Sequence, residues 1–580
     1  MASDRLHQPS ARVSVIQLST FIIAITLSAA IGWYEIYADT LPATYFHVVY
    51  WALLTVLSVH IVVSVELQKQ RLALLTAIVV MLALRLIPVL TVAYPVIYDP
   101  DPKYGLQIVQ RILSSGIVPF GPGSTTGEAY VYSFYPGLEI LLSTLSAISF
   151  IDPTMLMKLG GSFMGISTVL LFFCAYRRIS KHIPSELSIS LAALSPWFIS
   201  FDTFTVHQTL AFALLALIVL SLTSRSRPWN FIAFVGMLSI AVSHSATSYL
   251  FPFVLLGIFL LSRQASNASR SRPLSGLTVR TIVYFAILAS AWTTFVAIQY
   301  LPEVGRFFQA AFAVLFAPEI RGIPEPFNPT GLKPLWVVAA YLLGFLAFGL
   351  ITFGKVTEGL MRRKLNSELI LAATGVVVFA IFLAPYLSGL RIATDLYGRG
   401  LTYLYFLSAP VVAEFVFRLC RRGWNSHPNL NKVRRIALPS FLLLIIFVPA
   451  VYYGVSPGLY DRHAPLTGTR LYGDIRLSPY EWQEVADFAK TRVSVQTVYG
   501  VRLAWDFVGG LTGKNVIPME LNQTKLNAYL QDQRGGLLFL RKSIVQVGDY
   551  STVTIDDMNA MYADSNVLYS SGDVIIAVAP

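Results

Sequence analysis

Apolar residues dominate long runs of this chain, and polar residues gather between the runs. A helix needs about 20 mostly apolar residues to cross a hydrocarbon core. Runs of that kind recur at 13–34, 46–66, 72–94, 155–176, 187–201, 203–223, 229–245, 247–261, 278–301, 334–353, 367–387, 401–419 and 436–456. The 187–201 and 247–261 runs are short, which predicts tight pairing with their neighbours. Residues 136–151 begin with Pro136, carry Glu139 and are also short. They predict a helix lying in, or dipping into, the interface. From Lys103 to Leu113 the spacing is helical, with Tyr104, Ile108 and Ile112 on one line and Leu106, Val109 and Leu113 beside it. That spacing predicts a helix along the membrane surface. Beyond residue 456 the pattern changes. Ser478-Pro479-Tyr480-Glu481 is a capping box with proline at the first helical position, predicting a helix to about Lys490. Val495–Tyr499, Gly536–Arg541 and Val574–Val578 read as strands. The predicted fold is a polytopic α-helical membrane protein of about 13 transmembrane helices over 1–456. A small extracytoplasmic α/β or α+β domain follows over 457–580.

Composition supports this class. Of the 580 residues, 55% are hydrophobic and 13% charged, and the mean hydropathy is +0.62. A single soluble core does not bury that much apolar surface, which excludes a soluble enzyme and a disordered protein. Two cysteines, Cys174 and Cys420, exclude a disulfide scaffold. The first run lacks a small-residue cleavage pattern and reads as an anchor.

Charge sets the orientation. The net charge is +12, yet the tail from 457 holds 11 Lys+Arg against 13 Asp+Glu, so the positive excess lies in the membrane part. Basic residues cluster at Arg5/Arg12, Lys69/Arg71, Arg177/Arg178/Lys181, Arg225/Arg227, Arg263 to Arg280, Lys355 to Lys364 and Arg418 to Arg435. The positive-inside rule puts these in the cytoplasm. The loops 35–45, 95–154, 302–333 and 388–400 and the tail then lie outside, with the N-terminus cytoplasmic and the C-terminus extracytoplasmic. Counting 136–151 as a further span would invert every later basic loop. The basic excess therefore marks plasma-membrane topology, and no nucleic-acid partner is implied.

Few charges remain on the outer side, and these are the candidate chemistry. Tyr98-Asp99-Pro100-Asp101-Pro102 directly follows the third run. Asp99 or Asp101 can take a proton from an acceptor hydroxyl as general base. Both can also ligate a divalent cation such as Mg or Mn through oxygen, although no metal is required. The alternative is a solvated turn. Arg391-Ile-Ala-Thr-Asp395-Leu-Tyr397-Gly-Arg399 packs polar groups between two runs. Arginine forks match phosphate oxygens; interfacial anchoring or a salt-bridge group of Arg391, Asp395 and Arg399 is the alternative. Arg85 lies inside the third run, where a charge is costly, and is a third phosphate candidate or a structural partner of Glu414. His207 and His244 fall near predicted outer helix ends and can hydrogen-bond a sugar or donate to phosphate, or simply pack. Tyr104, Asp395, Tyr397 and Glu319 complete the substrate-binding candidates; Glu319 and Glu128 also read as ordinary loop acids. The Gly-rich GPGSTTGEAY segment lacks the Lys-Ser/Thr of a nucleotide loop and reads as a lid.

The order of these features is specific. An apolar run leads to Asp-x-Asp, a surface helix, SSGIVPF, YSFYPGLEILLSTLSAISF and then a run ending in CAYRRI. This order resembles the opening module of the GT-C superfamily, the multi-span glycosyltransferases that use polyprenyl-phosphate-linked sugars. YPGLEILL is similar to their Pro-led juxtamembrane helix, and LAALSPWFISFDTFTVHQTLAFALLAL to the next helix pair. The family often has an acid where His207 stands. The resemblance covers roughly 72–261. In the tail, Trp505-Asp506-Phe507-Val508-Gly509 is faintly similar to the Trp-Trp-Asp-Tyr-Gly motif of oligosaccharyltransferases, with one Trp missing and the Gly displaced. A strand-to-helix corner is the alternative there.

The resemblance implies a polyprenyl-phosphate-linked sugar donor, an outer Asp acting on the acceptor, and late outer arginines on the donor phosphate. The acceptor would be a glycan, lipid or protein beside the bilayer. Two other functions fit the same pattern: transfer of a whole lipid-linked glycan to protein, and a lipid-linked glycan flippase without catalysis.

Overall fold

The computed structural model of the chain describes residues 100–118, 133–180, 184–193, 205–265, 274–298, 335–362, 364–387 and 393–421. It also describes 74–79, five short strands between 497 and 578 and a few further positions elsewhere, among them His60, Phe198, Ile445 and Ile446. These fall into two compact units. One comprises 1–87, 161–203 and 207–456; the other comprises 88–160, 204–206 and 457–580.

The second unit holds helices α1 (Pro100–Ser115) and α2 (Gly137–Ser149) and the start of α3 (Pro153–Ile179). Helix α1 begins at Pro100, three residues before the expected start at Lys103. Proline at the first helical position has no orphan N–H to lose, so Pro100-Asp101-Pro102 opens a helix and is not a free turn. Gly116 ends α1 at φ +69°, with its N–H on Ile112 O at 2.8 Å, the left-handed stop that glycine favours. Helix α2 has 13 residues, about 20 Å at 1.5 Å per residue, which is short of a hydrocarbon core of about 30 Å. It ends at Phe150 with φ 59°. Helix α3 then opens with Asp152 Oδ1 accepting from Thr154 N–H at 2.7 Å and with Pro153 at its first position.

Five strands of this unit, β1 (Thr497–Gly500), β2 (Asn515–Pro518), β3 (Leu537–Arg541), β4 (Asn566–Ser570) and β5 (Val574–Val578), form a sheet in the order β2-β1-β3-β5-β4. Strands β2, β1 and β3 are parallel, while β5 runs antiparallel to β3 and β4. The expected strands at 495–499, 536–541 and 574–578 coincide with β1, β3 and β5. The expected helix at 481–490 lies outside the described residues.

The first unit holds the rest of α3, then α4 (Ser185–Ala193), α5 (His207–Leu222), α6 (Arg227–Ser243), α7 (Ser245–Ala265), α8 (Val279–Phe295), α9 (Leu335–Met361), α10 (Ser367–Leu387) and α11 (Ala393–Arg421). Each matches an expected apolar run. Among the described residues, four helices are long and apolar enough to cross a membrane: 153–179, 245–264, 341–361 and 398–419. The expected runs at 13–34, 46–66, 72–94 and 436–456 lie wholly or mostly outside the described residues. Two expectations change. Helix α4 packs mainly on α11 and not on its chain neighbours. Residues 393–400, expected as part of an outer loop, form the first two turns of α11.

Helix α11 is the axis of this unit. From Leu401 to Ala413 every residue is buried, because aromatic and small side chains surround it. Phe406 meets Phe172 tilted at 4.6 Å and Phe198 edge-on at 4.7 Å between ring centroids; Tyr403 lies 5.5 Å from Phe212. The Tyr176 hydroxyl donates to Phe406 O. Helix α10 lies closest to α11, and a Cβ on Gly400 would stand 2.7 Å from Phe382 Cβ. Many hydroxyls in the helices donate to the carbonyl four residues back, as Thr352 does to Phe348 O and Thr402 to Gly398 O, which satisfies them without water. Phe231, Phe253, Phe295, Leu350 and Phe353 point outward, as lipid-facing residues do.

The turns after α5 and α7 interlock. Gly276 N–H donates to Leu222 O, Arg225 Nε to Ser275 O and Ser275 Oγ to Thr223 O, each at 2.8 Å. A Cβ at Gly276 would stand 2.3 Å from Ser224 O, so only glycine fits. Arg178 lies over the Trp229 ring at 4.7 Å.

Candidate active site

In the second unit the acid segment is carried by α1. Asp101 lies in its first turn and Tyr104 in the next; Asp99 immediately precedes the described residues. The buried face is Gly105, Leu106, Ile108 and Val109, while Leu113 is exposed. The buried stripe is thus narrower than the periodicity predicts. Gly105 is where α1 meets α2 and α3: a Cβ there would stand 2.6 Å from Met157 Cε and 3.1 Å from Glu139 Oε1. Glu139, expected at an interface, is fully buried. Close approach without a side chain at Gly105 therefore sets the height of the Asp101 turn against α2.

In the first unit the structure brings together three candidates far apart in the chain. His207 is the first residue of α5, His244 stands alone between α6 and α7, and Arg399 is in the second turn of α11. His207 and His244 are buried, and both His207 and Arg399 lie within electrostatic reach of His244. Arg399 also acts on Tyr403, one turn further along α11. Burying a polar atom without a partner costs about 1–3 kcal/mol. Two such atoms lie here, Arg399 Nε and the Oε1 of the buried Gln208 beside His207. A guanidinium with an open donor, within electrostatic reach of an imidazole, is suited to an anion with several oxygens.

Helix caps explain how the side chains are held. His244 N–H closes α6 on Ile240 O at 3.0 Å. Its Nδ1 lies 2.7 Å from Thr247 Oγ1 and accepts from Thr247 N–H at 3.1 Å, opening α7. Ser248 Oγ donates to His244 O at 2.7 Å. Thr247 also interacts with the Tyr403 side chain. Sequence patterns point to His207, His244 and Arg399 singly. They miss Thr247 and Tyr403, because capping rules look for Ser, Thr, Asp or Asn and Tyr403 sits inside an apolar run.

Asp395 and Tyr397 lie in the first two turns of α11. Arg85, Arg391, Glu319, Glu128, the Gly-rich segment and the Trp505–Gly509 motif lie outside the described residues. Glu414, the expected partner of Arg85, pairs with Arg418 one turn away on α11. Among the described residues, no three His, Cys, Asp or Glu converge as a metal site.

No known family's profile matches the chain, and no curated protein does. Solved structures do. The chain superposes on the apo oligosaccharyltransferase of Archaeoglobus fulgidus with a TM-score of 0.51 at 12% identity, over 87% of this chain and 74% of that one. ArnT of Cupriavidus metallidurans bound to undecaprenyl phosphate aligns with a TM-score of 0.46 at 12% identity, over 89% and 98%. AglB of Archaeoglobus fulgidus, in complex with an inhibitory peptide and a dolichol-phosphate, aligns with a TM-score of 0.48 at 11% identity, over 87% and 74%. These are GT-C glycosyltransferases, and the chain is distantly similar to them in fold. The chain thus shares the fold of the first of these, and among its described residues four helices are long and apolar enough to cross a membrane.

Proposed function

We propose that the chain is a glycosyltransferase moving a sugar from a polyprenyl-phosphate-linked donor to an acceptor at the extracytoplasmic face of the plasma membrane. Asp101 or Asp99 takes the proton of the acceptor hydroxyl. The acceptor oxygen then attacks the anomeric carbon from the face opposite the phosphate. The carbon–phosphate-oxygen bond breaks, its electron pair leaves on the lipid phosphate, and the anomeric configuration inverts. Arg399, with Arg391 and the two histidines, stabilises the phosphate charge. The basic clusters are cytoplasmic in this reading, and the tail from 457 is an extracytoplasmic domain. The observation that carries the proposal is the gathering of His207, His244 and Arg399 with an open guanidinium donor, in a chain of GT-C-like fold.

The test is lipid-linked sugar and glycan profiling of a deletion strain, complemented with variants. Loss of one sugar from a lipid-linked product is expected. Intact lipid-linked oligosaccharide with missing protein glycans would make protein the acceptor. Movement of substrate across proteoliposomes without product would overturn the enzyme reading. Of the folded Asp99→Ala and Asp101→Ala variants, the one that lacks the base is expected to lose transfer, and full activity in both would remove the carboxylates from the mechanism. Arg399→Ala is expected to weaken donor use about 10- to 100-fold, since hydrogen bonds to charged groups contribute about 1.5–3 kcal/mol.

A further inference from the structure

A single residue, His244, separates α6 from α7, and its imidazole does the work of a helix cap. Thr247 N–H donates to Nδ1 at 3.1 Å. An N-cap side chain accepts this bond at the third helical position, a task usually given to Ser, Thr, Asp or Asn. An imidazole can accept there only when Nδ1 carries no proton, so the neutral ring must hold its proton on Nε2. The Thr247 hydroxyl reinforces the choice. It lies 2.7 Å from the same nitrogen, and with Nδ1 unprotonated it is the donor. Its oxygen also interacts with the Tyr403 side chain; with the Thr247 proton on Nδ1, Tyr403 can meet that oxygen only as a donor. Protonating Nδ1 would break the cap and oppose two donors at once. The groups that act on the ring electrostatically are Arg399 on α11 and His207 on α5; neither is an acid that would favour an imidazolium.

We propose that Thr247 and Tyr403 are positioning residues that lock His244 as a neutral Nε2–H donor for the anionic group bound at Arg399. The identity of that group rests on the phosphate reading above; the proton's place on the ring does not. A ring held this way gives a fixed hydrogen bond to a phosphate oxygen and has no free nitrogen with which to compete for the acceptor's proton. Preorganised donors of this kind need no rearrangement as charge develops. His244 therefore acts as a donor, and the base must be sought elsewhere.

The test is a long-range proton–nitrogen correlation spectrum of the full chain in detergent micelles, labelled with nitrogen-15 histidine. The chain has eight histidines, and His244→Asn, which keeps a capping acceptor, identifies the resonances of His244. Expected is an unprotonated Nδ1 and a protonated Nε2, unchanged as pH falls through the range where ordinary histidines titrate. Thr247→Val keeps the backbone donor and removes the hydroxyl. It and Tyr403→Phe are each expected to mix the two tautomers, and Thr247→Ser to restore the single one. A proton on Nδ1, averaged shifts in the unsubstituted chain, or indifference to Thr247→Val and Tyr403→Phe would each overturn the proposal. A short-chain polyprenyl phosphate is then added, and is expected to shift Nε2 and leave Nδ1. If the tautomer is as stated but Nε2 does not respond, the phosphate reading fails and the locked donor stands.

Discussion

Asp99 and Asp101 are one residue type in one short segment, yet they stand differently to α1: Asp101 lies in its first turn. Asp99 precedes Pro100, the first residue of α1. The same Asp-Pro start opens α3, where Asp152 caps Thr154 N–H at 2.7 Å. Capping by Asp is replaceable by Asn at little cost, while loss to Ala costs about 0.5–2 kcal/mol. A general base is not replaceable by Asn, because the amide cannot take the proton. Asp99→Asn is therefore expected to keep both fold and transfer if Asp99 caps α1 and Asp101 is the base. Asp101→Asn is expected to keep the fold and lose transfer, by about 100-fold or more. Transfer assays on the two purified asparagine variants check this, and the reverse pattern would exchange the roles. Among the cations the same discrimination came from burial. Among the described cations, Arg399 is set apart by its orphaned Nε and its electrostatic reach to His244.

Elements were legible in the sequence where composition is uniform and illegible where it changes inside one helix. The runs at 203–223, 229–245, 247–261 and 367–387 match α5, α6, α7 and α10 because apolar residues fill them from end to end. The apolar pattern predicts a start for α11 at 401, since Thr394, Asp395, Gly398 and Arg399 are polar or small, although its backbone is helical from Ala393. Strand β2 has four residues and ends in Pro518, so it offers no alternation to read. The candidate residues at 207, 244 and 399 could be named, but their meeting depends on how α5, α7 and α11 pack, which periodicity does not encode. That packing rests partly on glycines. A Cβ on Gly344 of α9 would stand 2.4 Å from Ile445 O, a backbone atom that moves only with its helix. Gly349 and Gly354, on the same helix, have nothing within 4 Å. Gly344→Ala is expected to cost about 1–3 kcal/mol, as overpacking does. Gly349→Ala and Gly354→Ala are expected to be neutral or slightly stabilising, by up to about 1 kcal/mol. Thermal unfolding of the three variants in one detergent separates them, and equal midpoints would disprove the close contact at Gly344.

At the scale of the whole molecule the decisive question is how many times the chain crosses between α1 and the loop before α6. Helix α2, at 13 residues, spans about 20 Å against a core of about 30 Å. It is also joined to α3 by a tight corner, with Phe150 left-handed and Asp152 capping, so it has no slack with which to reach across. Without α2 there are three predicted crossings between Ser115 and Ser226, by α3, the 187–201 run and α5, and the two serines lie on opposite sides. With α2 there are four, and they share a side. Both serines are exposed. The native Cys174 and Cys420 are first replaced by serine, and Ser115→Cys and Ser226→Cys are then made singly. A membrane-impermeant maleimide applied to intact spheroplasts is expected to label Ser115→Cys at once and Ser226→Cys only after permeabilisation. Labelling of both from outside would make α2 a crossing helix, put the Arg177–Arg178 cluster on the outer face, and move the His207–His244–Arg399 group away from the side where Asp101 lies. A single-site transferase would then be untenable, because base and phosphate site would face different compartments. The parity of one 13-residue helix thus decides whether the two halves of the chemistry belong to one reaction.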